Sequence, residues 1–220
     1  MKISPLHYII TQPEQAGTAC RAGADWIQLR VKNRPYADWK ALALETLAVC
    51  RQYNARLIIN DNPYLAGDIG ADGVHLGQDD MPVAEARALL GMDFLIGGTA
   101  NTVETILAHH RDGADYVGLG PFRFTATKEK LSPILGLEGY QRILETLKSR
   151  SVSLPIVAIG GITLADVSAL LHVGFQGIAV SSAITDAPDP ATQTRLFLTQ
   201  LAPLTSELNE NEYTIANDRR

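Results

Sequence analysis

Eight short apolar runs alternate with longer stretches of helical periodicity along nearly the whole chain, and this alternation constrains the fold more than any other feature. The runs are His7–Thr11, Trp26–Leu29, Arg56–Ile59, Gly73–Leu76, Phe94–Gly97, Tyr116–Gly118, Ile156–Ile159 and Gly177–Val180. They are apolar throughout rather than alternating, the pattern of strands buried on both faces of a parallel sheet. Between them, Asp38–Tyr53 sets Trp39, Leu42, Ala43, Thr46, Leu47 and Cys50 at three- and four-residue spacing, which predicts an amphipathic helix. Pro82–Leu90, Thr102–Asp112, Leu137–Lys148, Leu164–Val173 and Pro190–Leu201 carry the same period. Several of them open on Pro or Thr, as a first turn should.

A weak repeat runs through the alternation. Gly-Ala-Asp occurs at Gly23–Asp25, Gly70–Asp72 and Gly113–Asp115, each time before a strand candidate and at about twice the length of a βα unit. The glycine suits the left-handed end of a helix. Eight strands with no break in composition predict an α/β fold, a single (β/α)8 TIM barrel over residues 1–204. The rival is a doubly wound sheet, but no Gly-x-Gly-x-x-Gly turn follows the first strand. Residues 205–220 are polar, lose the period and are expected to form a frayed tail. With 46% hydrophobic and 20% charged residues among 220, the chain has the material for one large core.

Composition also excludes classes of function. A net charge of −5 gives no global attraction to nucleic acid or to an anionic membrane, so any phosphate must be held by a local site. No uncharged apolar stretch is long enough to span a bilayer, and Met-Lys-Ile-Ser-Pro lacks the apolar run of a signal peptide. A cytoplasmic protein is expected, and a homodimer is allowed. Cys20 and Cys50 lie in apolar helical patterns without a C-x-x-C spacing and read as reduced core thiols.

In a barrel the active site gathers at the C-terminal ends of the strands. Polar residues crowd those ends here: Gln28, Arg30 and Lys32 after the second strand, Asn60 and Asp61 after the third, Asp79 and Asp80 after the fourth. Thr99 and Asn101 follow the fifth, Arg123, Thr125, Thr127 and Lys128 the sixth, Gly160 and Gly161 the seventh, and Ser181 and Ser182 the eighth. Asp61 and Asp80 stand at neighbouring strand ends beside Arg30, Lys32 and Lys128. Two acids among cations suit a Mg²⁺-bridged diphosphate. The plainer reading is that each acid caps a helix, since Pro63 and Pro82 follow closely. Gly160 and Gly161 with Ser181 and Ser182 fit a phosphate cup, or in the case of the glycines a bare turn. His75 reads as a packed or hydrogen-bonded histidine rather than a base. His109 and His110 read as cations near a helix C-terminus. The segment Phe122–Pro133 is the longest connection without helical pattern and is expected to act as a lid.

These motifs resemble the thiamine phosphate synthase family. The likeness runs through Ala24–Lys32, Ile59-Asn60-Asp61, Gly73–Asp80, Tyr116–Pro121, Thr125–Lys128 and Ile159–Ile162, and covers most of the chain. It implies a transferase that joins two small phosphorylated heterocycles, a pyrimidinylmethyl diphosphate and a thiazole phosphate, and releases pyrophosphate. It further implies Mg²⁺ on Asp61 and Asp80, and contacts of the pyrimidine diphosphate with Gln28, Arg30, Lys32, Asn60, Thr99 and Lys128. Arg30, Lys32 and Lys128 would then assist departure of the diphosphate. The thiazole phosphate would meet Thr125, Thr127, Gly160, Gly161, Ser181 and Ser182. The family route is dissociative and needs no protein nucleophile, in keeping with the lack of one in the sequence. Two departures stand out: Gln12 where acid is common, and Thr99 with Asn101 where serine and histidine are common. Two alternatives share parts of this pattern: a thiazole tautomerase of the same superfamily, and a non-catalytic phosphate-binding barrel. Neither requires the two acids and the cations together.

Overall fold

In the computed structural model the chain closes eight parallel strands into a barrel in sequence order. The structure describes residues 3–124 and 133–217, with side chains as far as residue 204. The strands are β1 (Leu6–Ile10), β2 (Trp26–Leu29), β3 (Arg56–Asn60), β4 (Gly73–Leu76), β5 (Leu95–Ala100), β6 (Tyr116–Leu119), β7 (Ile156–Ile159) and β8 (Gly177–Val180). β1 pairs with β2 on one side and with β8 on the other, through Leu6↔Ile178 and Tyr8↔Val180. That closure rules out the doubly wound sheet.

Helices cover the outside: α1 (Pro13–Arg21), α2 (Tyr36–Gln52), α3 (Pro63–Ile69), α4 (Val83–Leu90), α5 (Val103–Arg111), α6 (Gly136–Ser149), α7 (Val167–Val173), α8 (Ser182–Thr185) and α9 (Pro190–Asn217). A 3-10 turn, Leu164–Asp166, leads into α7. α1 and α3 are too short to carry a clear apolar stripe, although Pro13 and Pro63 each stand at the first helical positions. α9 runs well past Leu201 into the stretch where the sequence pattern suggests an irregular tail. Glu207, Leu208, Glu210 and Glu212 there are residues with good helix propensity, and extending a formed helix costs little.

β2, β4, β7 and β8 have the bounds their apolar runs imply. β5 differs most, because its apolar run ends at Gly97 while the strand continues through Gly98 to Ala100. Pairing of Thr99 with Gly118 and of Ala100 with Leu119 carries the glycines into the ladder. Cross-strand partners outweigh local propensity there.

Side chains on alternate strand residues share one face. Ile9, Trp26, Ile58, Leu95, Tyr116, Val157 and Ala179 fill the barrel interior as one cluster. A larger shell, including Tyr8, Ile27, Leu57, Val74, Ile96, Val117, Ala158 and Ile178, packs between the barrel and its helices. Toward the floor, His7 stacks on Trp26 with ring centroids 4.3 Å apart. Burial pushes the His7 imidazole down to about 3, so it sits in the interior uncharged.

The Gly-Ala-Asp repeat has a mechanical meaning. Gly70 is the left-handed cap of α3, and Gly23 and Gly113 also have positive φ. The acids then tie neighbouring strands together. Asp72 accepts from the Leu57 N–H at 2.8 Å, and Asp115 accepts from the Ile96 N–H at 2.7 Å. Each acid also meets an arginine, Arg51 and Arg87 respectively. Cys20 and Cys50 are both buried and carry no disulfide.

Candidate functional site

Interior alternation decides which polar residues look into the mouth of the barrel. Gln28 lies two residues beyond Trp26 on β2, and Asn60 two beyond Ile58 on β3, so both share the interior side at the C-terminal end. Both are buried. Asn60 pairs in register with His75, and His75 with Gly97. Thr99 follows on the same side of β5.

Asp61 leaves β3 in the left-handed region, φ +68°, an uncommon position for a residue with a side chain. Its N–H donates to the His75 carbonyl at 2.8 Å, which holds the turn against β4. The cap of α3 is not Asp61. Asn62 fills that place, its side chain accepting from the Leu65 N–H at 2.9 Å. Freed of that task, the Asp61 carboxylate pairs with the Lys32 ammonium. Asp80 is not a helix cap either, since α4 begins at Val83 without a side-chain cap. Its carboxylate closes the preceding turn by accepting from the Gly77 N–H at 2.6 Å.

The two acids touch. Burial first, and then its hydrogen bond with Asp61, push the Asp80 carboxyl up to about 6, against the opposing pull of the Gly77 N–H and of Lys32. Two carboxylates pressed together with a single ammonium form an electrostatically unfinished site, which a hard divalent cation would complete. No group of three or more His, Cys, Asp or Glu side chains able to hold a metal occurs among the described residues. The donor set therefore fits an ion that takes its remaining oxygens from a substrate or from water.

The other side of the mouth is built by glycines. Gly160 and Gly161 both have positive φ. A Cβ on Gly160 would lie 2.7 Å from Pro121 Cα, and one on Gly161 would lie 2.5 Å from Arg123 Cγ. The close approach that excludes a side chain is thus made in part by the segment after β6. Arg123 locks that segment down, donating to the Gly161 carbonyl at 2.9 Å and to both Asp166 carboxylate oxygens at 2.7 Å. Ser181 and Ser182 lead directly into the short α8 after β8. A short extra helix at that point is the recurrent companion of phosphate sites in such barrels. Arg30 is half-buried beyond β2. Thr125, Thr127 and Lys128, with most of the expected lid, lie outside the described residues.

Sequence reading missed three features. His75 is hydrogen-bonded as expected, but to specific partners: Tyr116 and Thr99. His109 does more than oppose a helix dipole, because its Nε2 lies 3.0 Å from the Thr99 carbonyl. The Arg123–Asp166 lock joins residues far apart in sequence. No local pattern announces it.

A closed parallel barrel with its acids, cations and glycine turns gathered at one end has the form of a (β/α)8 enzyme. Comparison with known proteins narrows this class. The pattern of the family described as thiamine monophosphate synthase matches residues 4–184. A thiamine-phosphate synthase of Bacteroides thetaiotaomicron is 51% identical over 185 residues, covering 84% of this chain and 88% of its own. One from Flavobacterium johnsoniae is 52% identical over 187 residues, covering 85% of this chain and 88% of its own. Among solved structures, the thiamine phosphate pyrophosphorylase of Pyrococcus furiosus superposes with a TM-score of 0.80 at 31% identity, covering 90% of this chain and 96% of its own. The chain belongs to the thiamine monophosphate synthase family. It is a transferase, with the activity of a thiamine-phosphate synthase. No helix among the described residues is long and apolar enough to cross a membrane.

Proposed function

We propose that the reaction joins 4-amino-2-methyl-5-pyrimidinylmethyl diphosphate to a thiazole phosphate, or its carboxylate, at the mouth of the barrel and releases pyrophosphate, with carbon dioxide as well when the carboxylate is used. The observation that carries this reading is the contact of Lys32, Asp61 and Asp80, next to Gln28 and Asn60 at adjoining strand ends. Asp61 and Asp80 hold Mg²⁺. When bound, that ion neutralises charge that develops on the departing diphosphate. Arg30, Lys32 and Lys128 supply the remaining positive charge, while Gln28, Asn60 and Thr99 orient the pyrimidine diphosphate. Thr125, Thr127, Gly160, Gly161, Ser181 and Ser182 hold the second phosphate. The C–O bond to the diphosphate breaks first, the aminopyrimidine delocalises the methylene cation, and the thiazole nitrogen supplies the electron pair of the new C–N bond. No protein nucleophile is required, so this chain's contribution is orientation and charge placement. The setting is a cytoplasmic enzyme acting on two small molecules, without nucleic acid or membrane, and allowed to form a homodimer.

The test is direct. Purified protein given both heterocycles and Mg²⁺ should yield thiamine phosphate and pyrophosphate in equal amounts, and excess chelator should stop it. Turnover that persists in chelator removes the metal from the account; no product in either case removes the reaction. A second expectation separates the two phosphate sites. Ser182→Asp places a negative charge where the thiazole phosphate is held, so its KM should rise about tenfold or more. Calorimetric affinity for the pyrimidine diphosphate should stay within twofold. Equal weakening of both ligands contradicts two separate sites.

A further inference from the structure

Two buried residues with no part in the roles above occupy the floor of the site. The His75 Nδ1 lies 3.1 Å from the Tyr116 hydroxyl, and its Nε2 lies 3.0 Å from the Thr99 hydroxyl. The Gln28 side chain reaches the Tyr116 phenol from β2 and interacts with it. Tyr116, His75 and Thr99 thus form a chain of hydrogen bonds across the interior, from β6 through β4 to β5, with Gln28 at its end. Tyr116 is 1% exposed and His75 5%. Space for the pair exists only because position 97 is glycine: a Cβ there would lie 2.2 Å from the Tyr116 ring and 2.6 Å from His75 Nδ1. The Tyr116 ring is wedged edge-on against Trp26 at 5.5 Å and against His7 at 5.2 Å. From the opposite face of β5, His109 bonds the Thr99 carbonyl at 3.0 Å. Thr99 is therefore gripped both at its backbone and at its hydroxyl.

We infer that Tyr116 and His75 are positioning residues that fix the direction of this chain and so present Thr99 to the pyrimidine diphosphate as a donor. The inference rests on the reaction proposed above. With one proton on the phenol and one on the imidazole, only two directions are self-consistent. In one, Thr99 donates to His75, His75 Nδ1–H donates to Tyr116, and Tyr116 donates to the Gln28 carbonyl. Thr99 then offers only lone pairs to its ligand. In the other, Gln28 N–H donates to the Tyr116 oxygen, Tyr116 O–H donates to His75 Nδ1, and His75 Nε2–H donates to Thr99. The Thr99 proton then points into the site, and the Gln28 carbonyl is left open. A diphosphate carries only acceptor oxygens, and an aminopyrimidine carries an N–H₂ donor. An aminopyrimidine also carries ring-nitrogen acceptors, so Gln28 can meet it in either direction, and only the second direction offers the diphosphate a donor at Thr99. A site that reached the first would set lone pair against lone pair at Thr99.

Tyr116→Phe keeps the ring and removes the one atom that links Gln28 to His75. Its kcat for thiamine phosphate formation should fall about tenfold, while KM for the thiazole phosphate is unchanged. Thr99→Val should lose at least as much, and Thr99→Ser should retain activity within a few fold. The decisive comparison is the double variant, because a residue acting through Thr99 has nothing left to act on once that hydroxyl is gone. Tyr116→Phe with Thr99→Val should be no slower than Thr99→Val alone. Multiplied losses overturn the inference, as does an unchanged kcat in Tyr116→Phe. A second readout needs neither variant nor turnover. In ¹⁵N spectra of the wild-type protein with Mg²⁺ and pyrophosphate, His75 should be the tautomer protonated at Nε2. Protonation at Nδ1 overturns the direction, whether or not the protein makes thiamine phosphate. Absence of product in the wild type, with His75 in the expected tautomer, would count against the reaction and not against the chain of bonds.

Discussion

Asp80→Asn is expected to lower the rate of thiamine phosphate formation by about three orders of magnitude while the barrel stays folded. The size follows from charge stabilisation at a departing diphosphate, worth several kcal/mol when a metal supplies it, at about 1.4 kcal/mol per tenfold. The fold should survive because the asparagine carbonyl can still accept from the Gly77 N–H, which Asp80 now meets at 2.6 Å. Removing the charge also relieves the contact with Asp61. The sign of the pH effect follows from the same contact. Asp80 holds its proton up to about 6, above the usual carboxylate value, so its contribution to stability is fully present at low pH and is lost as the pH rises through 6. Without metal, the wild-type melting temperature should therefore decline between about pH 4 and 6 relative to that of Asp80→Asn. Adding Mg²⁺ at pH 7 should raise the melting temperature of the wild type far more than that of the variant. Near-normal turnover by Asp80→Asn in the presence of Mg²⁺ would detach Asp80 from the chemistry.

Lys32→Met should cost about a hundredfold in kcat/KM for the pyrimidine diphosphate, with little change in stability. Lys32 is half exposed and its partner Asp61 mostly shielded, so as a structural ion pair it contributes little. As a cation directed at an anionic leaving group it acts where charge develops, and a loss of two to three kcal/mol is the usual order there. Methionine keeps the unbranched apolar stem and discards only the ammonium. The kinetic and thermal readouts separate the two roles. An unchanged kcat/KM would mean that Lys32 serves only to pair with Asp61.

Much of this was legible from residue order, and the reasons are local. The strands could be located because each is an apolar run bounded by turn residues, and the barrel because Gly-Ala-Asp recurs at about twice the length of a βα unit. The acids Asp61 and Asp80 could be paired because they end neighbouring strands. What stayed hidden depends on contact between distant segments. That Asn62, not Asp61, caps α3 turns on a backbone dihedral at Asp61. β5 runs on past Gly97 through Gly98 to Ala100 because β6 offers it partners, which the local sequence does not suggest. The Tyr116–His75 pair depends on the absence of a side chain at Gly97, one strand away from each ring. Composition and period do not encode such a vacancy.

The central claim is that Asp61 and Asp80 together hold the ion that grips the diphosphate. Crystals grown with pyrophosphate and Mn²⁺ in place of Mg²⁺ test it in one measurement, because manganese is located by its anomalous scattering. The account predicts a single strong peak at bonding distance from carboxylate oxygens of both Asp61 and Asp80 and from pyrophosphate oxygens, with Lys32 on the same anion. A peak elsewhere on the barrel, or pyrophosphate seated at Ser181 and Ser182 with no metal on the two acids, would contradict it.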